Sequence, residues 1–82
     1  MEPQYMDLPD EEKRVFDLFQ KHKELSEAEV FKYFKDETKA EQDQRRNLLH
    51  SLFGRGLIVM GERKKDDPRA VHQKIVWVLN VP

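Results

Sequence analysis

The chain has 82 residues, of which 38% are hydrophobic and 38% charged, and its formal net charge is −1. A chain this short has room for one hydrophobic core, so we expect a single domain over residues 1–82, with residues 1–7 as a flexible arm. Five Phe, two Tyr and one Trp provide enough bulky apolar area for that core and argue against a disordered chain.

The composition also indicates where the protein works. The chain has no cysteine, which excludes a disulfide framework and fits a reducing, intracellular compartment. It lacks both a signal-peptide pattern and an apolar run long enough to cross a bilayer, so we expect no contact with a membrane. The expected location is the cytoplasm or nucleoid, or the nucleus in a eukaryote.

The small net charge conceals an uneven distribution along the chain. Residues 1–43 contain 13 Asp and Glu against 7 Lys and Arg, whereas residues 44–82 contain 3 against 8. The two parts therefore carry net charges of −6 and +5. Opposite charges in one small domain predict an acidic side and a basic side, and the basic side would orient the molecule towards a polyanion.

The first predicted helix spans about residues 9–22. Pro9 suits the first helical position, and three carboxylates follow it where the positive end of the helix dipole favours negative charge. Apolar residues then recur with helical spacing and predict one buried stripe. The stripe consists of Val15, Phe16, Leu18 and Phe19.

Two capping boxes predict two further helices. Ser26 is followed three residues later by Glu29, and Thr38 is followed three residues later by Glu41, which is the pattern of a helix N-terminus. The expected helices cover about residues 26–35 and 38–55. Their expected inward positions are Val30, Tyr33, Phe34, Leu48, Leu49 and Leu52, with Phe53 as a further candidate.

A β-hairpin is predicted after the third helix. Gly54 and Gly56 suit the left-handed conformation common at helix ends. Two apolar runs at residues 57–60 and 75–79 flank a charged turn and are typical of strands. Side chains alternate along a strand, so one face of the second strand should close the helical core. The faces hold Ile75, Trp77 and Leu79 on one side and Val76 and Val78 on the other.

The predicted fold class is α+β, mainly α: a three-helix bundle with a helix-turn-helix and a C-terminal β-hairpin wing. The run Leu-Leu-His-Ser-Leu-Phe-Gly-Arg-Gly-Leu-Ile at residues 48–58, followed by a strand containing Trp77, resembles the winged-helix DNA-binding domains. The resemblance covers about residues 8–80. It implies a small transcriptional regulator that binds double-stranded DNA with its third helix in the major groove and its wing on the backbone.

The third helix and wing are also similar to the Z-alpha domains, which bind left-handed nucleic acid through an Asn, a Tyr one turn later and a Trp in the wing. Trp77 matches that pattern. His50 stands at the Tyr position, and Arg46 stands at the Asn position with Asn47 one residue late. Z-form nucleic acid is therefore a lesser alternative.

The candidate DNA-binding residues are the polar positions of the third helix and the cations of the wing. Arg side chains suit guanine, Asn and Gln suit adenine, and wing cations suit phosphates or the minor groove. The candidates are Gln44, Arg45, Arg46, Asn47, His50, Arg55, Arg63, Lys64, Lys65, Arg69 and Lys74. The alternatives are a solvated helix face and a hydrophilic turn that protects the sheet edge, and Asp66 and Asp67 dilute the charge of that turn.

No pattern of catalytic, metal-binding or cofactor-binding residues is present in the sequence. The three histidines lie roughly 25 residues apart without the close spacing of zinc ligands. His50 and Ser51 are adjacent, but neighbours on a helix diverge by about 100° and cannot form a nucleophile–base pair. We therefore expect a protein that is not an enzyme and that needs no metal or cofactor.

Partner proteins form the second hypothesis. The near-zero net charge and the two aspartates of the turn favour a winged helix that serves as a protein-interaction module of a replication, transcription or trafficking assembly. The apolar inventory also exceeds what one small core must hide, with Phe16 and Phe31 beside the main stripes. This surplus predicts either a homodimer face or a broad core stripe.

Overall fold

A computed structural model of the protein describes residues 8–71 and 73–80. Within these residues the elements in chain order are α1 (Asp10–His22), β1 (Glu24–Leu25), α2 (Glu27–Phe34), α3 (Lys39–Gly54), β2 (Ile58–Glu62), a 3₁₀-helix (Pro68–Val71) and β3 (Ile75–Leu79). The fold class is therefore α+β and mainly α, with the expected helix-turn-helix (α2 and α3) and C-terminal wing (residues 58–79). The expected arm at residues 1–7 lies outside the described residues.

Both predicted capping boxes are present. The hydroxyl of Ser26 accepts a hydrogen bond from the Glu29 N–H, and the Glu29 carboxylate accepts one from the Ser26 N–H. Thr38 and Glu41 form the same reciprocal pair at the start of α3. The backbone and side-chain hydrogen bonds of Thr38 hold the pKa of Glu41 below its ordinary value. Pro9 occupies the N-cap of α1 rather than the expected first helical position.

The sheet has a third strand that the sequence did not indicate. Its strand order is β1-β3-β2, and all neighbours are antiparallel. β1 has only two residues, with Glu24 opposite Val78 and Leu25 opposite Trp77. Lys23 takes a positive φ of 69° that turns the chain from α1 into β1, and its carbonyl accepts a hydrogen bond of 2.7 Å from the Leu79 N–H. β3 is thus the central strand.

The two longer strands form the expected hairpin. β3 matches its predicted range, whereas β2 extends two residues beyond the expected end at Met60, to Glu62. The connection between them contains a 3₁₀-helix that was not expected. Gly61 lies in β2, and a Cβ built there would come within 3.0 Å of the Cγ2 atom of Val78. The close approach of β2 and β3 at this point favours glycine.

The hydrophobic core lies between the helices and one face of the sheet. Trp77 and Leu79 close the helical core, as expected. Ile75 shares their strand face but is 52% exposed because it lies at the wing end, and Val76 on the opposite face is only 1% exposed. The core cluster consists of Leu8, Val15, Phe16, Phe19, Val30, Leu49, Leu52, Ile58, Trp77 and Leu79.

Two positions expected to face inward are largely exposed: Tyr33 is 54% exposed and Phe53 is 48% exposed. Phe16 belongs to the core, as its place in the α1 stripe predicted, so α1 has a broad core stripe and not a surplus apolar face at this residue. Leu48 and Phe34 are partly buried against the core.

Gly56 provides a test of the chain turn between α3 and β2. It has a φ of 79°, whereas Gly54 is helical, and a Cβ added to Gly54 would meet no neighbouring atom within 4 Å. We expect Gly56→Ala to lower the free energy of unfolding by about 1–2 kcal/mol, because left-handed backbone is unfavourable for alanine. Gly54→Ala is the matched control and should stabilise the protein by about 0.5 kcal/mol. Equal urea midpoints for the two variants would contradict this assignment.

Candidate nucleic-acid interface

The outer face of α3, defined here as Gln44, Asn47 and His50, points away from the core. Leu49 and Leu52 on the opposite side of the helix are fully buried, and the helical spacing therefore turns these three polar side chains towards solvent, where all three are exposed. Within the described part of the chain, neither Gln44 nor Asn47 has a side-chain hydrogen bond or ion pair. Their amide groups are available to a ligand.

His50 connects this outer face to the wing. Its ring meets the Trp77 ring edge-on, with centroids 5.8 Å apart. The ring of Phe53, one turn of α3 further on, lies 5.5 Å from the same Trp77 centroid. Because Trp77 belongs to β3, these contacts place the C-terminal half of α3 directly beside the sheet.

Arg46 lies at the border of the outer face and points towards α2. Its guanidinium is 3.2 Å from the Glu27 carboxylate and 2.9 Å from the Asp43 carboxylate. The Asp43 pair is exposed and the Glu27 pair is partly buried, with 38% of the Arg46 side chain accessible. An exposed ion pair contributes only about 0–1 kcal/mol, so Arg46 can exchange the Asp43 carboxylate for another anion at small cost.

Arg45 has a structural role in the helix-turn-helix. It donates hydrogen bonds of 2.8 and 3.2 Å to the two carboxylate oxygens of Asp36, which is buried in the α2–α3 connection. Its guanidinium also lies 3.9 Å from the centroid of the Phe34 ring. This bidentate pair holds the end of α2 against α3, so Arg45 is not part of the outer face.

Arg55 likewise has a partner within the protein. Its Nε donates a 3.0 Å hydrogen bond to the carboxylate of Glu12 on α1, and the Ser51 hydroxyl donates another of 3.0 Å to the same oxygen. Glu12 is buried, which explains why it needs both donors. The arginine side chain itself remains 38% exposed.

Arg63 is a buried residue, although its place in a charged turn indicated a surface cation. Its side chain has no exposed area, and its guanidinium pairs with Glu29 and lies 3.5 Å from Glu24. It also donates to the carbonyl of Gln73 at 3.1 Å, while its Nε atom has no hydrogen-bond partner among the described residues. Arg63 therefore fixes the wing to α2 and cannot reach a ligand in this conformation.

The remaining wing cations differ in their pairing. Arg69 pairs with Asp67 at 3.1 Å and with Glu29 at 3.4 Å, and Lys74 lies 3.9 Å from Glu62. The Arg69 hydrogen bonds and charge lower the pKa of Asp67, and Asp67 in turn raises the pKa of Arg69. Among the described residues, the exposed side chains of Lys64 and Lys65 have no ion-pair partner.

Glu29 joins three parts of this arrangement. Its carboxylate caps α2 through the Ser26 N–H and pairs with both Arg63 and Arg69. Burial raises its pKa, but the Ser26 hydrogen bond and the hydrogen bond and charge of Arg63 outweigh burial and hold the pKa below its ordinary value. The carboxylate is therefore stabilised in its charged form.

The pairing changes the electrostatic interpretation of the basic half of the chain. Of the eight Lys and Arg in residues 44–82, six pair with a described carboxylate. Most of these partners come from distant sequence positions, such as Arg63 and Glu29, which no local pattern connects. The candidate interface is consequently reduced to the neutral side chains of α3 and to Lys64 and Lys65.

Comparisons with protein-family models, curated proteins and solved structures found no match to this chain. In the parts of the chain that the structure describes, His, Asp and Glu form no group of three suited to a metal ion. No helix within residues 8–71 and 73–80 is long and apolar enough to cross a membrane.

The buried position of Arg63 predicts a large effect of its removal. We expect Arg63→Met to lower the free energy of unfolding by about 3 kcal/mol, because it leaves Glu29 without its buried partner. Arg69→Ala is the control, since it removes an exposed arginine from the same carboxylate and should cost less than about 1 kcal/mol. Urea unfolding followed by circular dichroism measures both, and equal losses would refute a special role for Arg63.

The lowered pKa of Glu29 predicts a pH dependence. A carboxyl group with a depressed folded-state pKa stabilises the protein above its unfolded-state pKa of about 4.3, and this contribution is lost as the pH falls through the folded-state value. We expect Glu29→Gln to be less stable than the parent protein at pH 7 and the difference to shrink on acidification below about pH 4.3. A difference that stays constant from pH 7 to pH 3 would contradict the assignment.

Proposed function

We propose that this protein is a small winged-helix transcriptional regulator that acts inside the cell and binds double-stranded DNA in a sequence-directed manner. The observation that carries the proposal is the outer face of α3. The second helix of a helix-turn-helix presents Gln44, Asn47 and His50 side by side, exposed, on its outward side. A recognition helix reads base edges in the major groove with side chains in this position.

The chemistry of these side chains suits base edges. An Asn or Gln amide can donate to N7 or O6-type acceptors and accept from amino groups, and the bidentate pair with adenine is its best match. The amides of Gln44 and Asn47 have no competing partner among the described residues. They can therefore pair with a base without first breaking an internal hydrogen bond.

The cations supply a smaller share of binding than their number indicates. Lys64 and Lys65 can contact the DNA backbone directly, and Arg46, Arg69 and Lys74 can do so by exchanging ion pairs that reach solvent for phosphates. Arg55 could reach a phosphate only by leaving the buried Glu12 carboxylate. Arg45 and Arg63, which the sequence predicted as DNA contacts, are held inside the protein by Asp36 and Glu29. These two arginines are therefore not among the proposed contacts.

Replacement of Asn47 tests base readout. A duplex selected from a random-sequence pool is labelled, and its affinity for the Asn47→Ala variant is measured by fluorescence anisotropy. We expect affinity for the selected site to fall by roughly 5- to 150-fold, with little change on unrelated duplex, because one base contact contributes about 1–3 kcal/mol of discrimination. Gln20→Ala, at an exposed position of α1, is the control. Unchanged affinity for the selected duplex would refute the proposed recognition face.

The salt dependence of the same measurement tests the wing. Each phosphate contact adds about −0.9 to the slope of log affinity against log salt concentration. We expect the Lys64→Gln and Lys65→Gln variants each to reduce the magnitude of that slope by about 1. Lys13→Gln, on α1, should leave it unchanged. A parent protein whose DNA binding shows no salt dependence would contradict the backbone contacts altogether.

A second candidate function is protein binding, including homodimerisation. Phe53, Met60 and Ile75 surround the buried Trp77 and are 48%, 61% and 52% exposed. Phe53 contacts the Trp77 ring, and Met60 is opposite Trp77 in the sheet. This Trp77 patch could be covered by another protein or by a second copy. If a second copy covers it, analytical ultracentrifugation should show a larger species for the parent protein, and this species should be lost in the Met60→Glu variant.

The contact between His50 and Trp77 favours a lesser candidate, left-handed nucleic acid. These are two of the positions at which the chain is compared with the Z-alpha pattern, and their rings lie edge-on at 5.8 Å. Inversion of the circular dichroism of alternating guanine-cytosine DNA upon binding would support it. Binding without inversion would favour the right-handed duplex.

A further inference from the structure

The wing contains a groove whose lining combines positive charge with apolar surface. Arg63, Lys65, Ala70, Val71 and Lys74 line this wing groove, which has a volume of about 210 Å³. It lies between the end of β2 and the start of β3, with the 3₁₀-helix forming one wall. None of these lining residues carries a carboxylate, although the wing contains several.

The positive charge of the groove is available to a ligand. Lys65 is exposed and has no ion-pair partner in the described parts of the chain. Lys74 is exposed too, and its one ion pair there is an exposed contact of 3.9 Å with Glu62. Such a contact is weak enough to be exchanged for a carboxylate of a ligand. Arg63 contributes a wall, but its charge is offset by Glu29.

The wing groove also offers exposed apolar surface to a ligand. Val71, at the end of the 3₁₀-helix, is 77% exposed, the most of the large apolar side chains found exposed in the described residues. A neighbouring groove of about 370 Å³ shares Val71 and Lys74 and continues to Ile75, which is 52% exposed. Two exposed β-branched side chains and an exposed lysine thus line this neighbouring groove together.

We propose that the wing groove binds an extended acidic and apolar peptide segment of a partner protein. Apolar side chains of the segment pack on Val71 and Ile75, and a carboxylate between them pairs with Lys65 and Lys74. Charge complementarity determines the sign of the partner's charge, because the exposed charges that line the wing groove are two lysines. The one carboxylate that lines the neighbouring groove, Glu27, is paired with Arg46. A nucleic-acid backbone would satisfy the lysines but offers no aliphatic groups to cover the two β-branched side chains.

The proposal can be tested with synthetic peptides and the ¹⁵N-labelled full chain. The probes are acetylated, amidated hexapeptides of alternating Glu and Leu, alternating Glu and Ser, and alternating Lys and Leu. We expect the Glu-Leu peptide to cause saturable shifts of the amide signals of Lys65, Ala70, Val71 and Lys74. The Glu-Ser peptide lacks apolar side chains and the Lys-Leu peptide lacks carboxylates, so each should bind at least tenfold more weakly than the Glu-Leu peptide.

Matched variants separate the groove from general electrostatic attraction. The double variant Lys65→Glu/Lys74→Glu should weaken Glu-Leu binding at least tenfold, and Val71→Ser should weaken it roughly threefold or more, as expected for loss of part of a buried apolar side chain. Lys13→Glu/Lys32→Glu makes the same change in net charge at exposed positions of α1 and α2 and should bind like the parent. Circular dichroism checks that each variant is folded.

Several results would overturn the proposal. These are the absence of saturable shifts with the parent protein, equal binding of the Glu-Ser peptide, and equal weakening in the Lys13→Glu/Lys32→Glu control. A six-residue oligothymidylate that shifts Ala70 and Val71 as strongly as the Glu-Leu peptide would also overturn it, since phosphates would then occupy the groove. Failure of peptide binding would leave the DNA proposal intact, because that proposal is tested at Asn47 on α3.

Discussion

The ion pair between the buried Arg63 and the partly buried Glu29 is the interaction on which the position of the wing depends. A charged arginine without exposed area is stable only where carboxylates and carbonyl groups surround it, and here Glu29 and Gln73 provide them. Gln73 also accepts a 3.0 Å hydrogen bond from the Ser26 hydroxyl. Both strands of the wing are thereby tied to the N-terminus of α2, through residues that are also its cap.

This arrangement couples helix formation to wing placement. Glu29 must accept the Ser26 N–H hydrogen bond that starts α2 and also face Arg63. Loss of the carboxylate would therefore weaken both the helix cap and the attachment of the wing. Loss of Arg63 would leave the cap, but the partly buried Glu29 carboxylate would keep only the exposed Arg69 as an ion-pair partner. The wing is part of the folded core structure of the domain and not an independent hairpin, which is the reason that the burial of Arg63 could not be recognised from its sequence context.

The sequence predicted those features that local patterns determine. The capping boxes at Ser26 and Thr38 place the starts of α2 and α3, because the cap and its partner are three residues apart in any chain. The left-handed turn at Gly56 and the range of β3 follow from equally local signals. β1 was missed because two residues cannot show an alternating pattern, and its pairing with β3 joins positions more than fifty residues apart.

The candidate site was predictable only in part, because local spacing determines which side of a helix faces outward whereas ion pairs depend on residues that are distant in the sequence. The spacing of Leu49 and Leu52 determines which side of α3 faces outward, so Asn47 and His50 could be assigned to the exposed face from the sequence. The state of each arginine depends instead on carboxylates supplied by other elements, such as Glu12 for Arg55 and Asp36 for Arg45. Counting cations along the chain therefore overestimates the positive field at the surface.

The distribution of the remaining charge connects the two proposed surfaces. Lys65 and Lys74 are both candidate phosphate contacts and both line the wing groove. A bound acidic segment would neutralise these lysines and remove roughly two phosphate contacts, yet it would leave Asn47 and His50 on α3 unaffected, since they lie on a different element. The two ligands would then bind with mild negative coupling, and linkage requires DNA to weaken peptide binding by the same factor. The contacts that would be lost are contacts with the DNA phosphates and not with the bases. A partner bound in the groove would therefore lower DNA affinity with little change in sequence preference.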